Sequence, residues 1–215
     1  MTKVALCRLR LRPAAAALAM SLALALGACE SFILGSGPPP NLYTLTPKTS
    51  FKADLPKVDW QLVVEEPLAA GGLDVTRIAL RSKPTELNYF AGAQWVDRAP
   101  RMVQTLLVES FENSGKIVSV GRQAIGLRSD FNLKSELREF QAEYAQPETA
   151  PLVRIRLNAK IVSQPRRDII ASENFEGTAQ ATGTSMADVI AAFDLALDRV
   201  LKRVVEWTLL TANSK

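Results

Sequence analysis

Histidine is absent from the 215-residue sequence. Ser-His-Asp and Cys-His catalytic sites, histidine-ligated zinc sites and zinc-protease helices all require an imidazole, so these classes are excluded. A glycine-rich phosphate loop is also missing, because neither Gly71-Gly72 nor the segment between Gly121 and Gly126 has the required lysine and helix start. The sequence therefore predicts no catalytic residue, no metal ligand and no cofactor-binding residue.

Acidic residues are missing from the first 28 positions, which carry four basic residues and then an apolar run from Ala14 to Ala28. This pattern is typical of a secretory signal peptide, and the run is too short for a spanning helix of about 20 residues. Leu26-Gly27-Ala28-Cys29 resembles the bacterial lipobox, in which the cysteine is acylated (palmitate among its chains) and becomes the first mature residue. The alternative is a plain signal peptide with a chance cysteine.

Cysteine is scarce, with Cys7 in the leader and Cys29 at its end. If residues 1–28 are removed and Cys29 carries lipid, no disulfide can form and the fold must rest on its hydrophobic core. Removing the leader also takes away four of the 26 basic residues and none of the 22 acidic ones, so the side-chain charges of the mature chain balance. The basic excess belongs to the export signal, and no nucleic-acid partner is predicted.

Domain organisation follows from these boundaries. Residues 29–41 form the lipidated cysteine and a Pro/Gly-rich tether, which reaches at most ~40 Å when extended. Residues 42–215 are predicted to form a single domain, without an internal repeat. The apolar residues 32–34 either dip into the lipid or pack on the domain.

The first half of the domain predicts short strands and then a helix. Strands are expected at 43–45, 60–65 and 75–81, with a polar connector at 48–57, and a hairpin is expected around Ala91-Gly92-Ala93. Apolar residues at spacings of three and four predict a helix over 98–113, with Asp97 as its N-cap and Gly115 as its stop.

The second half predicts a short strand at 116–120 and then three long strands. Clean alternation over 131–138 and 153–161, followed by a third long strand at 168–181, indicates an antiparallel meander with one solvated face. A last helix begins at Thr184-Ser185, a good N-cap pair, and runs to about residue 210, with an apolar stripe along one side. The predicted fold class is α/β (α+β): a two-layer sandwich with a mostly antiparallel or mixed sheet and two main helices on one face.

Three groups of residues have both a functional and a structural interpretation. Glu65-Glu66 could form an acid/base pair, but neighbouring strand residues point to opposite faces. Arg166-Arg167 either occupies a solvated turn or contacts anionic headgroups. Trp95 either faces a partner or packs in the core, as predicted for Trp207 on the last helix; core packing is favoured for Trp95.

Several short motifs are recognisable together after the lipobox. They are Tyr43-Thr44-Leu45, Val63-Val64-Glu65-Glu66-Pro67, Leu73-Asp74 with Arg77-Ile78-Ala79-Leu80-Arg81, Leu87-Asn88-Tyr89-Phe90, and Trp95-Val96-Asp97-Arg98-Ala99-Pro100. This set resembles the ABC-type transport auxiliary lipoproteins, the PqiC-like family, although the family usually has a small residue where this chain has Val96.

The resemblance implies a domain similar to the N-terminal domain of TolB and a non-catalytic periplasmic lipoprotein. Its partners would be an MCE-type periplasmic protein and the ABC permease and ATPase of a lipid-transport system, and a homo-oligomer is left open. The alternative is an outer-membrane assembly or envelope-integrity lipoprotein, and a small histidine-free enzyme is the third class. Because Glu30, and not an aspartate, follows Cys29, the outer membrane is favoured over the inner membrane for the anchor.

Overall fold

A mixed sheet with two helices on one face forms the domain in the computed structural model, which describes residues 38–122, 129–146 and 148–213. Residues 40–215 form one compact unit. The leader, Cys29 and residues 30–37 of the tether lie outside the described residues. The strands are β1 (Asn41–Tyr43), β2 (Val58–Val64), β3 (Leu68–Ala69), β4 (Arg77–Arg81), β5 (Asn88–Trp95), β6 (Ile117–Arg122), β7 (Phe131–Glu143), β8 (Leu152–Ser163) and β9 (Ile169–Gln180). The helices are α1 (Ala99–Ser114) and α2 (Met186–Asn213).

Strand β7 is the central strand of the sheet and pairs with other strands on both of its sides. On one side it pairs antiparallel with β8, which pairs antiparallel with β9, so the predicted meander is confirmed. On its other side β7 pairs in parallel with β2, β3 and β4 in turn along its length. Strand β6 continues the sheet from β2, and β5 followed by β1 continues it from β4. The sheet is therefore mixed, as expected.

The helical layer buries the face of the sheet on which alternating apolar residues lie. The inward residues of β8 and the stripe of α2 are all fully or almost fully buried: Val153, Ile155, Leu157, Ala159 and Ile161 on the strand, and Val189, Phe193, Leu197, Val200, Leu201 and Val204 on the helix. Burying each such side chain contributes about 1.5–3 kcal/mol, so this interface is a large part of the stability of the fold.

The two helices begin differently. At α2, the Ser185 hydroxyl accepts from the Asp188 backbone N–H at 3.2 Å, as the sequence predicted for an N-cap. Hydrogen bonds from Ser185 and then Thr182 lower the pKa of the Asp188 carboxyl. At α1, the prediction of Asp97 as N-cap was wrong: Arg98 occupies that position without a side-chain cap, and Asp97 instead accepts from the Arg98 N–H at 2.8 Å. Proline in the first turn of α1 leaves one N–H fewer to cap.

Two predictions from the sequence concerned glycines: the helix stop at Gly115 was correct, and the hairpin turn at Gly92 was wrong. Gly115 ends α1 in the left-handed conformation at φ 59°, and its N–H donates to the Glu112 carbonyl at 3.0 Å. The expected hairpin around Gly92 does not exist, because residues 88–95 form one strand. The pairing of β5 with β4 shifts register between Arg77 and Ala79, and Gly92 takes φ 67° on the shifted part of β5. The sequence therefore predicted a hairpin turn at Gly92, whereas the structure places Gly92 at a β-bulge.

Gly177 is the position where β9 comes closest to α2. A Cβ at this site would overlap the Ala196 carbonyl and lie 2.9 Å from Val200 Cγ2. We expect Gly177→Ala to lower the free energy of unfolding by about 3 kcal/mol, because helix and strand must separate to admit the methyl group. Urea unfolding measures this. Gly71→Ala is the matched control, since nothing lies within 4 Å of its Cβ position; equal midpoints for the two variants would show that the contact is loose.

Candidate functional site

The described part of the chain has neither a metal-binding cluster nor a membrane-spanning helix. Within residues 38–122, 129–146 and 148–213, no cluster of three or more Cys, Asp or Glu side chains is arranged to hold a metal ion. In the same part of the chain, no helix combines the length and the hydropathy needed to cross a membrane. The remaining candidates are polar clusters, surfaces and grooves.

A cluster around Arg98 joins three of the sequence motifs. Its guanidinium group donates to Glu66 Oε1 at 2.6 Å and also pairs with Asp74. The hydrogen bond to Asp74 and the charges of Glu66 and Asp74 raise the pKa of Arg98 above its ordinary value. The three side chains are each about 40% exposed: 41% for Arg98, 37% for Glu66 and 40% for Asp74. Arg98 thus ties the loops after β2 and β3 to the start of α1.

The two neighbouring glutamates serve different partners. Glu65 accepts from Asn132 Nδ2 at 2.9 Å and pairs with Lys134 at 3.0 Å, whereas Glu66 pairs with Arg98. Their carboxylates therefore point to different parts of the surface, as the strand geometry predicted. They do not form an acid/base pair.

Trp95 lies beneath this cluster, in the core. It is 1% exposed, and its ring centroid lies 5.6 Å from that of Phe140 and 5.2 Å from that of Phe193. Trp207 is half-buried against Phe175 at 5.4 Å. The core interpretation of Trp95 is confirmed, because the motif tryptophan packs against β7 and α2 and is not exposed to a partner.

Residues 44–57, which we call the strap, cross the helical layer directly after β1. The Thr46 N–H and hydroxyl donate to Asp194 of α2 at 2.7 Å and 3.0 Å. Lys48 pairs with Asp198 at 2.9 Å, and its N–H donates to Ser110 of α1 at 2.9 Å. The sequence predicted a strand at 43–45 and a polar connector at 48–57. The structure corrects both, because the strand is Asn41–Tyr43 and the strap buries Leu45 and Leu55 and contacts both helices.

Asp194 holds the end of the strap that lies nearest the anchor. In Asp194→Ala we expect amide hydrogen exchange at Thr46 to rise about tenfold, because the N–H loses its carboxylate acceptor. The urea midpoint should change little, since the contact is at the surface. Asp59→Ala is the control, as Asp59 is exposed and pairs with none of the described residues. Unchanged exchange at Thr46 would mean that apolar packing alone retains the strap.

The outer face of the meander carries a ladder of opposite charges. Arg154 of β8 pairs with Glu143 of β7 at 3.1 Å and also with Glu176 of β9, and Arg156 pairs with Glu139 at 3.6 Å. These cross-strand pairs neutralise one another and leave no strong field of one sign. Arg166 and Arg167 are exposed at the turn between β8 and β9.

The edge of β9 is partly covered by α2. Arg199 donates to the Thr178 carbonyl, and Arg203 donates to the Glu176 carbonyl at 3.1 Å. These contacts satisfy outward-facing carbonyl groups in the second half of β9, which is an edge strand of 12 residues. Such coverage discourages uncontrolled strand pairing there.

A sequence model of the ABC-type transport auxiliary lipoprotein component family matches residues 43–205. The match begins at the first motif and includes the strap, the Arg98 cluster and most of α2. The chain belongs to this family. Membership implies a lipoprotein of the cell envelope that is associated with an ABC transporter.

Known relatives agree with this assignment. An uncharacterized protein of Bradyrhizobium diazoefficiens is 31% identical over 149 residues, which is 69% of this chain; the chain covers 39% of that relative's length. The crystal structure of the Xanthomonas campestris protein XCC0632, of family DUF330, superposes with a TM-score of 0.76 at 36% identity, over 81% of this chain and 97% of that one. Protein CT253 of Chlamydia trachomatis shares the fold only, with a TM-score of 0.52 at 8% identity over 74% and 100% of the two chains.

Sequence reasoning missed the strap and the partners of Arg98. The signal for the strap was present in Asp194 and Asp198, two acids four residues apart on α2 that lie off its apolar stripe. The partners of Arg98 come from loops more than 20 residues away in sequence, and no periodicity marks them. Cys29, the predicted lipid-attachment residue, lies outside the described residues and stays a prediction.

Proposed function

We propose that this chain is a membrane-anchored periplasmic accessory lipoprotein of an MCE-type ABC lipid-transport system. It acts as a non-catalytic docking or adaptor subunit that joins the MCE-domain protein, with its permease and ATPase, to a membrane. The observation that carries the proposal is membership of the transport auxiliary lipoprotein family over residues 43–205, in a chain with a lipobox pattern ending at Cys29.

The strap supports a mechanical role. The acyl chains on Cys29 would hold the chain on the membrane, and the 29–41 tether would limit the distance to at most ~40 Å. The chain then forms the edge strand β1 and enters the strap, which is bonded to α1 through Ser110 and to α2 through Asp194 and Asp198. A pull on the anchor that passes β1 is therefore distributed over both helices.

The charges of the domain favour docking over catalysis. The carboxylates at the motif surface are occupied by ion pairs, with Glu66 and Asp74 on Arg98 and Glu65 on Lys134. A general acid or base needs a group that is free to exchange a proton with a substrate. These groups instead fix the loops that flank the exposed Leu68 and Val96.

We propose that the anchor lies in the outer membrane, on its periplasmic face, in preference to the inner membrane. Glu30 stands after Cys29 where an aspartate would favour retention in the inner membrane. Sucrose-gradient fractionation measures this directly: the protein should sediment with outer-membrane markers, and sedimentation with inner-membrane markers would reverse the assignment.

Genetic epistasis tests the functional proposal. If the chain serves an MCE system, deleting it together with the MCE-domain protein should give the same envelope-lipid defect as deleting the MCE-domain protein alone. Membrane lipid composition and sensitivity to detergent are the readouts. Defects that add in the double deletion would place the two proteins in separate processes, as expected for an assembly or envelope-integrity lipoprotein.

A further inference from the structure

A groove opens beside the ends of β4 and β7, on the part of the sheet where no site has been assigned. It consists of two adjoining cavities of about 350 Å³ and 490 Å³, each within the range of ~300–1,000 Å³ that is typical of small-molecule sites. The cavities share Ser82, Lys83, Tyr144 and Ala145. Such sites are mostly apolar with a few polar groups that orient the ligand.

Strand register builds this groove. In the parallel pairing of β4 with β7, Arg81 lies beside Glu143, and the Tyr144 N–H donates to the Arg81 carbonyl at 2.9 Å. The Tyr144 ring rests against Phe90, with 6.3 Å between centroids. Both strands are thus fixed where they enter the groove, and its wall is formed before any ligand arrives. Leu80, Pro84 and Leu152 add apolar surface.

Arg81 gives the groove a positive charge that is not paired with an acid among the described residues. Its guanidinium group forms no hydrogen bond or ion pair with those residues, and the buried Nε atom has no acceptor among them. The adjacent Glu143 is already paired with Arg154 at 3.1 Å. Lys83 pairs with Glu86 at 2.8 Å. Both side chains are largely exposed to solvent, so this ion pair contributes little free energy. Glu148 on the rim is an exposed acid without a cationic partner among the described residues.

Tyr144 adds a second donor to the groove. Its hydroxyl group makes no hydrogen bond to the described residues, and partial burial raises the pKa of Tyr144 above its ordinary value. The phenol therefore stays protonated at neutral pH and can donate. Hydrogen bonds from a guanidinium group to an anion are roughly twice as strong as those between neutral groups, so the Arg81 side chain that lines the groove favours an anionic ligand.

We propose that this groove binds a single anionic amphiphile, with its head group on Arg81 and Tyr144 and its aliphatic chain along Leu80, Pro84 and Leu152. The cation selects the head group, and the apolar wall requires a chain. Fatty acids and anionic phospholipids share this chemistry. The inference rests on the groove alone and does not depend on the proposed docking role, so either can fail without the other.

Native mass spectrometry of the full-length protein in a neutral detergent tests the proposal. The probes are anionic lysophosphatidylglycerol, dodecanoic acid, zwitterionic lysophosphatidylcholine and inorganic phosphate. We expect one copy of an anionic amphiphile to bind at least tenfold more tightly than the zwitterion or phosphate. Tighter binding of the phospholipid than of the fatty acid would identify a phosphate head group, and the reverse order a carboxylate. Equal binding of the anionic amphiphiles, the zwitterion and phosphate would overturn the proposal.

Two variants locate the site. Arg81→Gln should weaken binding of the anionic amphiphile about tenfold, while Arg101→Gln, which removes an equal charge from an exposed pair on α1, should leave it unchanged. Hydrogen exchange should show protection at 80–84 and 144–145 when the amphiphile is bound. Melting curves confirm that both variants are folded. Wild-type affinity in folded Arg81→Gln, or protection confined to the turn at Arg166 and Arg167, would refute the assignment.

Discussion

Cys29→Ala is expected to abolish maturation of the precursor completely. The lipobox cysteine supplies the thiol that receives the diacylglyceryl group, and the lipoprotein peptidase cleaves only after this modification. Without the thiol, residues 1–28 should remain attached and no acyl chain should be added. Mass spectrometry of the membrane fraction and metabolic labelling with a fatty acid measure both effects.

Cys7→Ala is the matched control for that result, because it removes the other cysteine of the chain from within the same leader. Its processing and labelling should equal those of the wild type. Normal cleavage and membrane retention of Cys29→Ala would mean that the leader is a plain signal peptide, and the anchored role would have to be abandoned.

Phe193→Ala is expected to lower the free energy of unfolding by about 4 kcal/mol, the largest stability effect we predict. Phe193 of α2 is 0% exposed, and its ring lies 5.2 Å from Trp95 and 5.3 Å from Phe140. Truncation leaves a cavity that rigid aromatic neighbours cannot fill, and it also removes two ring–ring contacts. For a domain of this size the melting temperature should fall by roughly 10 °C.

Leu195→Ala, two residues along the same helix, serves as its control. Leu195 is 47% exposed, so its truncation should change the free energy of unfolding by no more than about 0.5 kcal/mol. A loss in Phe193→Ala of less than 1 kcal/mol would show that the aromatic cluster is loosely packed and does not hold α2 on the sheet.

The parts of the fold with strong local periodicity were predictable. Strands β7 and β8 alternate cleanly and α2 has a continuous apolar stripe, so their type and approximate extent followed from the sequence. Gly92 shows the limit of this approach, since a glycine between two short apolar runs fits a hairpin as well as a bulge. Only the register against β4 decides between the two.

The order of the strands in the sheet could not be predicted from local sequence patterns. Strands β2, β3 and β4 each pair in parallel with β7, at sequence separations of about 60 to 70 residues. Parallel pairing leaves no turn signature between the partners, because a crossover connection of about a dozen residues or more joins them. The sequence therefore predicted a mostly antiparallel or mixed sheet without its strand order.

The functional features also differ in how far the sequence predicted them. Cys29 was predictable because the lipobox is a contiguous motif, whereas the Arg98 cluster and the Arg81 groove each assemble residues from separate segments. The strap carried a partial signal in the acids of α2, but its course over both helices depends on tertiary packing. A functional site formed by contiguous residues can be recognised in the sequence. A site formed by residues from separate segments can be recognised only in the structure.

Cross-linked co-purification of the full-length protein from its native envelope tests the docking role. We expect an MCE-domain protein, with its permease and ATPase, to be recovered in amounts well above those from cells that carry Cys29→Ala, in which the acyl anchor is absent. Recovery of outer-membrane assembly components without any MCE-domain protein would rule out the docking role.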